Sequence, residues 1–574
     1  MDRFIDLQEV VNLPKEFIGT LNPRNLLPSS YKWWDLRGDS SAFFALFMDN
    51  LATQLNLAGM AIGAVGLPAD FVWEKFFGGV GLSIFVGNLY YSMQAAKVAQ
   101  RTGKMDTCAQ PYGINTPGAI AKTFGILGPV FWATGDHEKA WETACVANFF
   151  GGVFEFLGAF IAPVLAKNVP QPAIMAPIGG IGLTWLGINP LLTILNSHFA
   201  QNPMVGMIPF VILWVAYFGC QEKGLFGPII PAAFVACFVG VILNWLAWTR
   251  DWDAYAKVLE DSTDFLQWNG LGVPGWGEMS TAFQDYGNLL LGLAFTNFIG
   301  TYACNISARK GGDLFPVMES MMVDGLGSMI GALFGSPYGT TVYIGHVAYK
   351  KMGATRGYSL LNGVLWLIFG LFGFHALLQA LIPTEVVSGI LVVVGFSMAS
   401  QVCTSSPARW YPAVLVGMSI GFSDLIIGGM GGTNTDIFLL GNGYVWISLL
   451  YAWFLMMLTD RWFLAAALSF AICFGATFIG LIHATEMNWQ YRDDGTLHGS
   501  ETLSYEGMPG WKYLFMYFLC SMLCLVFYGV QKAGFVEPPV EEDFRELQEQ
   551  EFNELAAGGD RDSMNNADKV VPSG

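Results

Sequence analysis

The sequence is poor in charged residues: Asp, Glu, Lys and Arg make up only 13% of its 574 residues, against about 25% in an average soluble domain. It is also short of basic residues, with 28 Lys and Arg against 45 Asp and Glu and a formal net charge of −17. A phosphate backbone needs clustered Lys and Arg for binding. These absences argue against a soluble domain and against nucleic acid as a partner.

Motifs of metal and nucleophile chemistry are missing as well. No CxxC pair and no Cys/His cluster with metal spacing occurs, and no Walker A, GxSxG or HExxH motif is present; the six His are scattered. A zinc site is therefore not expected. A membrane-embedded enzyme would need a nucleophile and base or a metal set. The sequence therefore predicts neither an enzyme nor a bound cofactor.

Long hydrophobic runs are abundant, since 53% of the residues are hydrophobic. A helix that crosses the hydrocarbon core needs roughly 20 apolar residues. The runs predict an all-α polytopic membrane protein with about 14 transmembrane helices, or 16 when the last two segments are counted as additions. The apolar segments are 41–66, 78–99, 117–134, 141–166, 174–197, 204–220, 225–247, 284–305, 317–334, 341–352, 357–382, 384–402, 409–430, 443–459, 461–485 and 511–530.

Basic residues orient these helices. The Lys and Arg residues of 97–104, 309–310 and 350–356 fall on one side when crossings are counted, and the positive-inside rule places that side in the cytoplasm. A multi-pass protein of the plasma membrane with both termini in the cytoplasm is expected. The predicted regions are a cytoplasmic segment 1–40, a first transmembrane repeat 41–247, an extracellular connection 248–283, a second repeat 284–485, an extracellular loop 486–510, a last helix 511–530 and an acidic, disordered cytoplasmic tail 531–574.

Two similar breaks occur, one in each half of the chain: PYGINTP at 111–117 and PYGTT at 337–341. Pro-Tyr-Gly cannot continue a helix, and the Asn and Thr residues that follow are good N-caps. Each break precedes a short apolar helix, so two half-helices are predicted to begin within the membrane, near 117 and 341. The alternative is that each Pro-Tyr-Gly is an ordinary loop capping a full helix.

The N-terminal N–H groups of a half-helix that begins within hydrocarbon need polar partners, because each N–H group without a hydrogen bond costs several kcal/mol of free energy. If the two halves are inverted, both N-termini point at one spot, where an anionic or acceptor-rich substrate is favoured. Polar residues in the first and eighth helices flank this spot. When the two helices are aligned on Phe47 and Phe295, Asp49 corresponds to Asn297 and Thr53 corresponds to Thr301. The predicted substrate-binding residues are Asn50, Tyr112, Gly113, Asn115, Thr116, Asn297, Thr301, Tyr338, Gly339, Thr340 and Thr341.

Ionisable residues within spans are candidates for proton or ion coupling, since a charge at the membrane centre costs ~2.5–3.5 kcal/mol. The candidates are Asp49, Glu319, Asp324 and His346. Asp49 could instead end a helix at the interface, and Glu319 could lie at the cytoplasmic mouth. His346 could relay protons or merely face a neighbouring helix.

At these residues the chain resembles the nucleobase and ascorbate (xanthine/uracil/vitamin C) permeases, including the azaguanine-type purine permeases. The resemblance rests on Asp324-Gly325 in the ninth helix and on the Gly-rich break from Gly335 to Thr341. It implies two inverted seven-helix repeats, a core domain and a gate domain, a homodimer through the gate, and uptake driven by H⁺ or Na⁺. Sulfate-permease and bicarbonate anion transporters share this fold.

The chain departs from the family pattern at two site positions, because Asn297 and Ile344 stand where nucleobase carriers typically place Glu. The substrate therefore stays open. The expected function is a secondary active transporter that moves a small polar, nucleobase- or purine-like solute by alternating access. The alternatives are a transporter or exchanger of a small anion such as bicarbonate or sulfate, and a channel.

Overall fold

The structure is a computed structural model that describes residues 7–27, 31–160, 169–196, 203–219, 232–247, 252–343, 345–404, 406–430, 437, 440–483 and 511–540. Three sequence predictions lie outside the described residues: the loop 486–510, the tail beyond residue 540, and the Ile344 position.

Helices dominate the first half of the chain, and one short strand interrupts them. Its elements are α1 (Leu7–Thr20), α2 (Gly38–Gly59), α3 (Ala69–Lys75), α4 (Phe77–Thr102), β1 (Tyr112–Ile114), α5 (Thr116–Lys122), α6 (Gly128–Thr134), α7 (His137–Gly158), α8 (Gln171–Ile181), α9 (Asn189–Asn196), α10 (Met204–Trp214) and α11 (Ala232–Ala247). Wider π-helical turns continue α2, α5, α8 and α10 at their C-terminal ends: Met60–Val65, Thr123–Leu127, Gly182–Ile188 and Val215–Gly219.

The second half repeats this pattern. Its elements are α12 (Trp252–Thr263), α13 (Met279–Gln284), α14 (Gly287–Lys310), α15 (Val317–Leu333), β2 (Thr340–Val342), α16 (His346–Lys351), α17 (Gly357–Leu371), α18 (Phe374–Leu381), α19 (Thr384–Thr404), α20 (Tyr411–Ser419), α21 (Gly421–Met430), α22 (Tyr444–Thr459), α23 (Phe463–Phe478) and α24 (Trp511–Lys532).

Most of the predicted apolar segments coincide with helices, which confirms the all-α membrane fold. Four described helices are long and apolar enough by themselves to cross a membrane: Gln171–Leu195, Thr384–Thr404, Ala408–Ile427 and Lys512–Lys532. The other apolar helices are shorter, broken or interrupted by polar residues. Four helices that hydropathy does not reveal also occur, namely α1, α3, α12 and α13.

The prediction of one continuous segment at 357–382 was wrong. The chain bends by 98° between α17 and α18. Gly373 lies at this break with φ +70°, in the left-handed region that glycine adopts without a steric cost. A single glycine is enough for this bend, so the hydropathy of the segment stays high across it. The apolar pattern of the sequence therefore does not reveal the bend.

The start of the second half-helix was also misplaced. Thr340 and Thr341 are strand residues rather than N-caps, and α16 begins at His346, which is therefore its first residue. Gly345 precedes it with φ +128°. Strand pairing uses the backbone groups of 340–342, so the helix can begin only after them.

The described helices pack into two groups. The strand bundle consists of α2, α4, α7, α14, α15 and α17 around β1, β2 and α5; within it α4 packs on α17 and α7 packs on α15. The second bundle consists of α8 to α11 and α19 to α22, with α10 on α19 and α8 on α22. The two bundles meet where α2 contacts α19 and where α14 contacts α8 and α22.

Two glycines, Gly327 and Gly331, let α15 approach β1 and α4 closely. A Cβ at Gly327 would collide with the hydroxyl of Tyr112. A Cβ at Gly331 would stand 2.8 Å from Cβ of Ser83 on α4. This face of α15 therefore supports the strands at close range.

Candidate functional site

The strand β1, which begins in the first Pro-Tyr-Gly segment, pairs antiparallel with β2, which directly follows the second one; this pair is called the crossing. Tyr112 stands opposite Val342, and Ile114 stands opposite Thr340. One further backbone hydrogen bond extends the ladder at each end. The Asn115 N–H donates to the Gly339 carbonyl (2.9 Å), and the Tyr343 N–H donates to the Pro111 carbonyl (2.8 Å). Because the strands are antiparallel, α5 and α16 leave the crossing from opposite ends.

The first half-helix has the predicted cap. The side-chain oxygen of Asn115 accepts from the N–H of Gly118 at 3.2 Å. Its amide nitrogen donates to Oδ1 of Asn297 on α14 at 2.6 Å. The hydroxyl of Thr116 lies 2.9 Å from that of Thr53 on α2. The start of α5 is therefore held by residues from both halves of the chain.

Asp324 on α15 anchors the second strand. Its Oδ2 accepts from the Val342 N–H (3.0 Å) and from the hydroxyls of Thr301 (2.8 Å) and Thr341 (3.1 Å). Its Oδ1 accepts from the Tyr91 hydroxyl. Four donors satisfy a buried carboxylate in the manner of an ionised group.

Thr340 fixes the other end of β2. Its hydroxyl lies 2.7 Å from that of Ser83 and accepts from the Tyr112 hydroxyl at 2.7 Å. Its N–H donates to Oγ of Ser328 at 3.0 Å. Because of these buried contacts, the side chains of Tyr112 and Thr340 are not accessible to a ligand. They support the two strands instead.

A cavity of about 330 Å³ opens beside the crossing, between the two bundles. Its strand-side wall mixes small and apolar residues with most of the polar side chains of the cavity, which are Asp49, Thr53, Asn115, Thr116, Asn297, Thr341, Tyr343 and Tyr349. Its opposite wall, from the second bundle, is mainly apolar and includes Ile178, Ile181, Leu186, Ile390, Leu391, Val393, Val394 and Met398. An occupant would meet hydrogen-bonding groups on one side and hydrocarbon on the other.

Asp49 is the one Asp, Glu, Lys, Arg or His side chain among the described residues that line this cavity. The Tyr349 hydroxyl approaches its Oδ2 at 3.4 Å. Tyr217 and Tyr343 also line the cavity. The described residues contain no group of three or more His, Cys, Asp or Glu that could hold a metal ion.

The structure brings together five of the predicted site residues at the cavity surface, namely Asp49, Asn115, Thr116, Asn297 and Thr341. The remaining ones support them. Asn50 accepts from the Tyr343 hydroxyl at 3.2 Å, and Thr301 bonds Asp324. Other supporting residues are Tyr112, Gly113, Tyr338, Gly339 and Thr340.

Three coupling candidates lie away from the cavity surface. Glu319 forms a 2.8 Å ion pair with Lys97. His346 Nε2 lies 2.8 Å from Oδ2 of Asp313. Asp324 is enclosed by its four donors, so among the four candidates Asp49 alone faces the cavity.

Sequence reasoning missed two groups of residues. Ser397 and Gln401 on α19, with Tyr217, Tyr343 and Tyr349, line the cavity. Lys122, Asn148 and Glu155 form a buried polar cluster next to it. A signal for the cluster existed, because Lys122 and Glu155 are isolated charges within apolar segments.

Comparison with known proteins agrees with this architecture. A family described as “Permease family” (Xan_ur_permease) matches residues 103–423. No curated protein matches the sequence.

The solved structures that are similar to the chain include three anion-transporter structures. The transmembrane domain of a cyanobacterium bicarbonate transporter, BicA, shares 14% identity at a TM-score of 0.45, over 73% of this chain and 98% of that one. The murine Solute Carrier 26 family member A9 anion transporter in the inward-facing state shares 12% identity at a TM-score of 0.50, over 78% of this chain and 72% of that one. A second structure of SLC26A9 shares 14% identity at a TM-score of 0.48, over 80% and 70%. The murine structure shows the shared fold.

Proposed function

The chain belongs to the Xan_ur_permease family of nucleobase and ascorbate permeases and is a multi-pass membrane transporter, and on that premise we propose that it is a secondary active carrier of a neutral, flat, nucleobase-like solute. The observation that carries the proposal is the two-sided cavity, whose amides and hydroxyls face hydrocarbon across the space. Binding pockets for small molecules are commonly apolar with a few placed polar groups, and fill ~300–1,000 Å³.

The polar wall suits the edge of a heterocyclic base. Asn115 and Asn297 supply amide groups, which donate and accept, while Thr116 and Thr341 supply hydroxyls. A base has donors and acceptors along its edge and two apolar faces, so its faces would lie against the apolar wall. The family's typical Glu is replaced by Asn297, which can pair either a donor or an acceptor of the cargo.

The same cavity does not favour a small inorganic anion. An anion is stabilised by cationic partners, and none of the described lining side chains is Lys, Arg or His. Asp49, when ionised, would repel the anion at short range. The helix N-termini favour negative charge, but α16 has only six residues.

Transport would proceed by movement of the strand bundle, as the core domain, against the second bundle, as the gate domain. Most of the polar lining groups come from the strand side, whereas the facing wall is mainly apolar, with Tyr217, Ser397 and Gln401 as its polar members. A cargo held by one bundle can then slide past the other with few hydrogen bonds to break. The proposal includes a H⁺ or Na⁺ gradient as the driving force.

The proposal extends to location and assembly. The protein would lie in the plasma membrane, with both of its termini in the cytoplasm. Apolar side chains of α10 and α11 are exposed on the second bundle, among them Val211, Phe234 and Phe238. They would face lipid or a second copy, and a homodimer through the gate would cover part of them. Mass photometry of the protein in nanodiscs would distinguish monomer from dimer.

Uptake into proteoliposomes tests the cargo class. We expect saturable uptake of at least one labelled purine or pyrimidine base, competed by unlabelled base, and no uptake of labelled bicarbonate or sulfate. A double Thr53→Val/Thr116→Val variant should weaken base uptake, whereas Thr193→Val, outside the cavity, should not. Saturable anion uptake without any base uptake would overturn the proposal.

A further inference from the structure

A second, smaller polar chamber of about 20 Å³ lies behind the cargo cavity. The buried side chains of Lys122, Asn148 and Glu155 line it. A space of about 10–15 Å³ can hold one water molecule. Asn115 and Asn297 line both spaces, so the 2.6 Å hydrogen bond between them stands at the boundary.

Charged groups reach this chamber from different helices. Lys122 on α5 donates to Oδ1 of Asn148 at 2.7 Å and attracts Glu155, whereas Asp324 on α15 repels Glu155. From α14, Glu155 meets Thr301 and Asn297, which do not titrate. The α6 and α13 helices, which also pack on α7, carry no titratable residue.

The two carboxyl groups have unequal surroundings. Asp324 accepts from four donors, including the Thr301 hydroxyl at 2.8 Å. Glu155 has that same hydroxyl at 3.4 Å and the Asn297 amide. Thr301 has one hydroxyl proton, so it can serve only one carboxylate at a time. Lys122 can balance only one negative charge, whereas two carboxyl groups, Glu155 and Asp324, lie within reach of each other.

With Asp324 held ionised by its four donors, an ionised Glu155 would therefore be a second buried negative charge beside the single cation Lys122, and such an excess charge is relieved by uptake of a proton. We propose that Glu155 is the proton-binding group of this carrier and that Asn297 and Asn115 link its protonation to the cargo cavity. The inference rests on the proposed function, since it supplies the coupling ion of that transport.

The linkage follows from the hydrogen-bond chain. When Glu155 releases its proton to water in the chamber, the carboxylate oxygen gains a full negative charge and needs a donor. The Asn297 amide nitrogen is that donor, while the Asn297 oxygen accepts from Asn115. Asn115 in turn caps α5 through the Gly118 N–H. Deprotonation thus fixes the orientation of both amides that face the cargo.

Reconstituted protein with Glu155→Gln tests the inference. The variant mimics the protonated acid and cannot release a proton. We expect the uptake that an inward proton gradient drives to fall at least tenfold in this variant, while cargo counterflow without a gradient persists. Glu142→Gln is the matched control, because Glu142 lies on the same helix and accepts from the Gly275 N–H at 2.7 Å. It should keep proton-driven uptake within twofold.

Infrared difference spectroscopy of the purified protein in nanodiscs gives a readout that needs no cargo. A protonated carboxyl C=O band that titrates with pH should be present in the wild type and in Asp49→Asn, and absent in Glu155→Gln. Proton-driven uptake that survives in Glu155→Gln, or a titrating band that vanishes in Asp49→Asn instead, would overturn the assignment to Glu155. Absence of any counterflow in the wild type would instead count against the proposed cargo, and the infrared band would still decide the proton site.

Discussion

The side-chain amide of Asn115 donates a 2.6 Å hydrogen bond to the side-chain oxygen of Asn297. One residue caps the half-helix of the first half of the chain, and the other lies on α14 of the second half. Both line the cargo cavity and the small chamber behind it. This single contact therefore joins the two halves of the chain and lies between the cargo cavity and the chamber that Glu155 lines.

Asn115→Ala should weaken cargo transport strongly. It removes the cap of α5 and leaves the Asn297 oxygen without its donor, and an unpaired buried polar group costs ~1–3 kcal/mol. If the loss falls on cargo binding, KM for uptake rises by roughly 5- to 150-fold. Asn22→Ala is the matched control, since Asn22 is also an N-cap, of the short helix Pro23–Leu26, but it lies away from the cavity. Equal KM values for the two variants would contradict the prediction.

The sequence predicted the helix break and the start of the half-helix correctly in the first half of the chain, but in the second half it misplaced the helix start, and it did not predict the strand pair. Pro-Tyr-Gly followed by Asn and Thr indicated both breaks, and Asn115 is the expected cap. The prediction that Thr340 and Thr341 are N-caps was wrong, because strand pairing with a segment far away in the chain overrides the local capping preference.

Other features of the site depend on distances that a sequence pattern does not contain. Asp324 and Glu155 are both isolated carboxylates in apolar helices, and the Thr301 hydroxyl that lies near both comes from a third helix. The bend at Gly373 and the tyrosines of the cavity likewise depend on packing between elements.

Asp324→Asn should destabilise the transporter. The carboxylate accepts from four donors, whereas an amide offers one oxygen and turns its NH₂ group toward donors. Hydrogen bonds to charged groups contribute ~1.5–3 kcal/mol each, so a marked drop in Tm is expected. Thermal unfolding in detergent, followed by fluorescence-detected size exclusion, measures it. Asp285→Asn, at an exposed position, should leave Tm within about a degree; equal melting of the two variants would exclude the anchoring role.

Gly113→Ala should abolish transport while the protein still inserts into the membrane. Gly113 is the central residue of β1, and a Cβ there would collide with the Asn50 amide and the Tyr343 phenol. Either the strand or these two side chains would have to shift, and Tyr343 lines the cavity, so its wall changes. Gly475→Ala is the matched control, because nothing lies within 4 Å of its added Cβ. Uptake and surface expression should be measured for both, and normal uptake by Gly113→Ala would show that the crossing tolerates this displacement.

The N-terminal helix α1 should detach in acid. It lies outside the spanning segments and packs on α4 and α15 through ion pairs from Glu16 to Lys97 (2.7 Å) and Arg101 (3.1 Å). Partial burial alone would raise the Glu16 pKa, but the hydrogen bond and charge of Lys97 and the charge of Arg101 outweigh it and lower the pKa below 4.5.

A lowered pKa means that the ion pairs stabilise docking above the unfolded-state value, about 4.3 for Glu, and that this contribution is lost as the pH falls through the docked-state value. Hydrogen–deuterium exchange in nanodiscs should therefore show α1 protected from about pH 5 to 7, and this protection should be lost progressively as the pH falls below about 4.3. Glu16→Gln should be exposed over the whole range, because it lacks the charge that Lys97 and Arg101 attract. Protection of α1 in that variant at pH 7 equal to the wild type would show that apolar packing alone holds the helix.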